Sequence, residues 1–152
     1  MDQDFKELLE AFERSGVRFL VIGGHAVIKY TEPRYTKDLD LWIANDAENA
    51  RKVFEALEDF GAPLAGLTAP DLVADDHYFS MGTPPSQVDI WPTIPGVEFD
   101  DCWNRKTLGT FFGNEIYFIS RGDLILNKEK VGRLQDLADA EKLRNTDPEV
   151  SK

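Results

Sequence analysis

Two aspartates one residue apart, Asp38 and Asp40, and a third held between two β-branched residues in Val88-Asp89-Ile90 are the groups of this 152-residue chain best suited to chemistry. Residues i and i+2 of a strand project from one face, so Asp38 and Asp40 stand only a few ångströms apart. At about 4 Å and an effective dielectric near 20 their repulsion is roughly 4 kcal/mol. No Lys or Arg lies between or directly beside them on that face, so a hard divalent cation with oxygen ligands, magnesium or manganese, is the natural partner. Three carboxylates on adjacent strands can hold two such ions, which suits displacement at a phosphorus: the pair stabilises both the attacking and the leaving oxygen. Upstream, Gly23-Gly24 is a side-chain-free turn entering a helix, where backbone N–H groups can approach a triphosphate.

The surrounding elements must bring these groups together. Residues 39–43 alternate, with Leu39, Leu41 and Ile43 on an apolar back and Asp38, Asp40 and Trp42 on the front; residues 87–91 repeat the pattern with Val88 and Ile90 against Asp89 and Trp91. Residues 77–81 pair with that second strand across a turn-rich connector. Apolar positions at i, i+3, i+4 and i+7 predict a helix over 2–15 and another over 46–59, the latter capped by Asn45 or Asp46 and stopped by Gly61. Residues 19–22 form a strand and 25–30 a turn or two of helix. Residues 62–76 read as a loop with one short helix, and residues 99–106 as a short acidic helix. A hairpin is expected around Gly113-Asn114. Ser120 with Asp123 resembles a cap opening a helix to Val131, and a second helix follows the break at Gly132. The whole reads as one α/β (α+β) domain over 1–144, a mixed twisted sheet with helices on the apolar face, followed by a frayed tail over 145–152.

Composition narrows the partners. A formal charge of −11 disfavours a protein that grips long nucleic acid through phosphates, but permits a nucleotide held through metal ions and a few local cations, or a basic protein partner. The single Cys102 excludes an internal disulfide, the first residues are charged rather than apolar, and charges interrupt every apolar run. A cytoplasmic protein with no membrane span is expected. His25 and His77 lack further ligands at zinc spacing. Trp42 and Trp91 each follow a carboxylate by two residues on the same face, and one of them is expected to border a nucleotide pocket, with core packing the more natural role for Trp42.

Read in order, Gly23-Gly24, thirteen residues, Asp38-Leu39-Asp40-Leu41 and then Val88-Asp89-Ile90 resemble the DNA polymerase beta superfamily of nucleotidyltransferases. The signature of that superfamily is a Gly-Gly or Gly-Ser turn, a spacer, Asp-x-Asp and a later single Asp. The closer resemblance is to minimal stand-alone members related to nucleotidyltransferases of abortive-infection systems. Arg-x-Thr-x-Asp-x-Asp is common in those, matched by Arg34, Thr36, Asp38 and Asp40. Their helical lysine followed by Arg-x-x-Asp-x-x-Asp is matched by Lys128, Arg133, Asp136 and Asp139. The likeness runs from Phe19 to Leu143.

The resemblance implies transfer of a nucleoside monophosphate from a triphosphate to an acceptor hydroxyl, with release of pyrophosphate. Asp38 and Asp40 would bridge the metals. Asp89 would hold the catalytic metal and help deprotonate the acceptor, while Gly23, Gly24, Arg34, Thr36 and Lys128 would contact substrate. The acceptor is open among an RNA end, a small molecule and a protein. A non-catalytic regulatory module of toxin–antitoxin type that binds a nucleotide or a protein partner, and a phosphohydrolase using water, are the alternatives. Asp136 and Asp139 read as surface partners of Arg133 or Lys142.

Overall fold

The two hydrophobic periods of the sequence translate directly into helix and strand. In the computed structural model, which describes residues 2–74 and 77–146, Phe5, Leu8, Leu9 and Phe12 are buried along one side of α1 (Asp2–Arg14). A left-handed Gly16 turns the chain into β1 (Phe19–Ile22), and α2 (Gly23–Tyr30) starts at the very next residue. β2 (Asp38–Ile43) leads to α3 (Ala47–Phe60), where the Asp46 carboxylate accepts from the Asn49 N–H and Gly61 closes the helix in the left-handed region. The one short helix expected in the next loop is a 3-10 turn, Ala69–Leu72, opened by a Thr68/Asp71 capping box.

β3 (Phe79–Met81) and β4 (Gln87–Trp91) precede α4 (Phe99–Asn104), and β5 (Thr107–Phe111) and β6 (Asn114–Phe118) form the hairpin. Its two-residue loop is Phe112-Gly113 instead of Gly113-Asn114: both residues have positive φ, 49° and 84°, as the tight hairpin turn that matches strand twist requires. α5 (Arg121–Val131) is capped by Ser120, which accepts from the Asp123 N–H, and ends at the left-handed Gly132. α6 (Leu134–Asn145) packs back on it. The expected tail lies, from residue 147 on, outside the described residues, as do Asp75 and Asp76 of the connecting loop.

The six strands form one mixed sheet in the order β3-β4-β2-β1-β6-β5. β2 runs parallel to β4 and antiparallel to β1, and β1 runs parallel to β6. Leu39, Leu41, Val88 and Ile90, all buried, face the layer in which Phe12 of α1 meets Phe19 edge-on at 5.2 Å. The opposite face carries the aspartates. Trp42, 1% exposed, needs apolar cover there, and Phe99 of α4 supplies it at 5.1 Å. Among the described residues no helix is long and apolar enough to cross a membrane.

His25 is packed among Phe5, Phe111 and Phe112, and burial pushes its imidazole down to about 4. A folded value below the unfolded one near 6.5 gives stability that is present above pH 6.5 and lost as pH falls toward 4. Wild type is therefore expected to lose about 2 kcal/mol between pH 7 and pH 4.5 relative to His25→Phe, read from urea midpoints at both pH values.

Candidate active site

The parallel register of β2 and β4 sets Asp40 opposite Asp89 and Trp42 opposite Trp91, so the two acidic fronts are a single surface. One oxygen from each of Asp38, Asp40 and Asp89 lies within 4.8 Å of the others. Such crowding resists ionisation. Burial, with the charges of Asp38 and Asp89 beside it, pushes the Asp40 carboxyl up to about 7 despite a hydrogen bond from Trp91. Burial and Asp89 also raise Asp38. This donor set, all hard oxygen, fits a divalent cation such as magnesium or manganese, whose charge would offset that repulsion.

Neighbouring donors engage one oxygen each of Asp89 and Asp40. Ser80 Oγ and Gln87 Nε2 both donate to Asp89 Oδ1, at 2.7 and 3.0 Å. The Trp91 indole N–H donates to Asp40 Oδ1 at 3.0 Å. These supports carry a sequence signal: Gln87 precedes Asp89 by two on the same face, and Ser80 faces Asp89 in the hairpin register.

The glycine turn fits around this cluster. A Cβ on Gly23 would lie 2.2 Å from Asp40 Oδ2, and its φ of +67° is left-handed, so only glycine lets α2 begin against the carboxylate. A Cβ on Gly24 would meet Thr36 Oγ1 at 2.7 Å. Ile22, at the N-cap, has no side chain able to accept from the first turn of α2, so those N–H groups face the cleft without a capping oxygen. Gly23→Ala is expected to displace Asp40, lowering stability by about 2 kcal/mol and weakening manganese binding at least about tenfold, as read by thermal melting and by electron paramagnetic resonance of free manganese.

A cationic wall faces the carboxylates from α5 and α6. Lys128, 8% exposed, places Nζ 3.3 Å from both Asp136 and Asp139. Arg34 donates to both oxygens of Asp139, at 2.6 and 3.1 Å, and Arg133 Nε donates to Asp136 at 2.7 Å. Three cations thus meet two carboxylates, leaving one net positive charge on the wall. Asp136 and Asp139 are not surface partners: they are 2% and 1% exposed. Burial would raise their carboxyls, but Arg133 and Lys128 hold Asp136, and Arg34, Gln135 and Lys128 hold Asp139, below the usual range. Thr36 packs over the glycine turn and donates weakly to the Asp38 carbonyl at 3.3 Å.

All eight residues singled out by the sequence line one cleft of about 850 Å³. Its other half is aromatic and apolar, with Trp91 stacked on Tyr78 at 4.2 Å, and Ile94 and Pro95 beyond. Trp91 is the tryptophan that borders the pocket; Trp42 is core.

Two acidic strands, a glycine turn entering a helix and a mixed six-stranded sheet give the chain a nucleotidyltransferase-like fold. Among solved structures the chain is similar to a lincosamide antibiotic adenylyltransferase, LnuA, in its lincomycin-bound crystal structure. The TM-score is 0.61 at 18% identity, covering 95% of this chain and 97% of that one. No protein-family model and no curated protein sequence matches the chain.

Proposed function

We propose that the protein transfers a nucleoside monophosphate from a nucleoside triphosphate to the hydroxyl of a small molecule, releasing pyrophosphate. The observation that carries this reading is the convergence of the three carboxylates beside the Gly23-Gly24 turn in a nucleotidyltransferase fold. Asp38, Asp40 and Asp89 would hold magnesium, or manganese, which when bound supplies charge stabilisation at the reacting phosphate oxygens.

The chain's own groups do the rest. First-turn N–H groups of α2 and the surplus positive charge of the Arg34–Lys128–Arg133 wall bind the triphosphate. Arg34, already bidentate to Asp139, acts mainly by holding that wall in place. Asp89, oriented by Ser80 and Gln87 through Oδ1, accepts the hydroxyl proton at Oδ2 as the acceptor oxygen bonds to the α-phosphorus. The bond from that phosphorus to the bridging oxygen breaks, and pyrophosphate leaves.

The aromatic half of the cleft suits an acceptor with an apolar or planar body, and a charge of −11 works against a long RNA. The solved neighbour is an adenylyltransferase crystallised with lincomycin, so ATP and hydroxylated small molecules are the first pair to try. Pyrophosphate release from each of the four triphosphates, assayed with a panel of hydroxylated small molecules, a short RNA and a protein lysate, tests the proposal. Release that depends on a small hydroxylated compound supports it. Release that depends only on RNA or protein would point instead to kinship with abortive-infection enzymes.

A further inference from the structure

Asp40 is held on two sides. Gly23 closes on Oδ2, where even a methyl group would come within 2.2 Å, and the Trp91 indole N–H donates to Oδ1 at 3.0 Å. The terminal torsion of an aspartate is broad by itself, so a donor fixed in the strand framework decides which way the free oxygen points. Trp91 is well suited to this. Its Cα lies opposite Trp42 in the β2–β4 ladder, and its ring is stacked on Tyr78 with an interplanar angle of 27°. The indole nitrogen donates but cannot accept or ligate. It orients the carboxylate without bringing a positive charge that would compete with a cation, as an arginine or lysine would.

We propose that Trp91 is a positioning residue: its Nε1–H fixes Asp40 Oδ1 so that Oδ2 is presented to the ion shared with Asp38 and Asp89, while Tyr78 holds the indole in plane. This rests on the metal reading of the three aspartates given above. It assigns to the aromatic half of the cleft a part in the chemistry beyond lining the acceptor space, in the manner of outer groups that orient metal ligands.

The test separates this coupling from the activity itself. Manganese affinity of the full chain without nucleotide is measured for wild type, Trp91→Phe, Asp40→Asn and the double variant. Trp91→Phe keeps an aromatic ring against Tyr78 and removes the donor together with the second ring of the indole. Its expected effect is about a tenfold loss of affinity in the wild-type background and less than twofold in the Asp40→Asn background. Tyr78→Leu, which leaves the donor but removes the ring that holds it in plane, should cost a smaller loss of about threefold in the wild-type background and none in the Asp40→Asn background. Where transfer is measurable, Trp91→Phe should lower kcat at least about tenfold with the KM for triphosphate nearly unchanged.

An equal loss in both backgrounds, or no loss in either, overturns the proposal. Should Trp91→Phe fold poorly, 15N indole spectra of the wild-type chain replace it. One of the three tryptophan N–H resonances must shift on Asp40→Asn and on manganese-free zinc or magnesium addition; three unmoved resonances would also overturn it. If wild type binds manganese with the expected coupling and yet transfers nothing, the proposed reaction fails while the positioning role stands.

Discussion

Asp40→Asn is expected to abolish nucleotidyl transfer, by at least about 10³-fold, and at the same time to raise the Tm of the metal-free protein at pH 8 by roughly 5 °C. The first effect follows from losing one ligand charge where several kcal/mol of transition-state stabilisation is concentrated, each 1.36 kcal/mol being tenfold in rate. The second follows from linkage. The Asp40 carboxyl stands near 7 in the folded chain against 3.8 as its ordinary value, chiefly through burial. The folded state therefore holds a proton that the unfolded state releases, and this stabilising difference, full below pH 3.8, is lost as pH rises through 7. At pH 8 the ionised group costs the metal-free fold of order 2 kcal/mol, which a neutral, isosteric asparagine recovers. Its side-chain oxygen can still accept from Trp91. A thermal melt at pH 5 and pH 8 checks the sign: the gain should be large at pH 8 and small at pH 5.

Lys128→Met is expected to lower stability by about 3 kcal/mol and transfer by at least about 100-fold. Lys128 is shared by two carboxylates that are almost wholly buried, and withdrawing one partner from a buried ion pair leaves charge that water cannot reach. Arg133 and Arg34 remain on Asp136 and Asp139, which keeps the loss below that of an isolated pair. The two effects have different origins and can be separated. Adding Asp136→Asn to Lys128→Met neutralises a buried carboxylate whose remaining partner, Arg133, is largely exposed and can be solvated alone, and should restore part of the melting temperature; transfer should stay low because the cation facing the triphosphate is still missing. Recovery of both together would make Lys128 purely structural.

Much of this site was legible because strand alternation has a period of two. Asp38, Asp40 and Asp89 could be assigned to one face from their apolar neighbours alone, and Gly61, Gly132 and Ser120 marked helix ends through local chemistry. What escaped was tertiary. Arg34 and Asp139 lie 105 residues apart, and nothing in their local sequence says that a buried carboxylate awaits the arginine; hence Asp136 and Asp139 read as surface charges. Gly23 was legible as a turn but not as the space into which Asp40 Oδ2 fits, since that depends on how β1 and β2 pair. The hairpin loop moved by one residue because Phe112, held among Phe5, His25 and Phe111, takes the left-handed conformation that glycine or asparagine would be expected to fill.

The most direct test of nucleotidyl transfer at the three aspartates is a paired label experiment. Wild type and Asp40→Asn are each incubated with magnesium, cell lysate and ATP labelled at either the α- or the γ-phosphate. The account predicts that wild type moves the α label onto an acceptor while the γ label leaves as pyrophosphate, and that Asp40→Asn does neither. Release of the γ label as inorganic phosphate with no α label transferred, or transfer undiminished in folded Asp40→Asn, would contradict it.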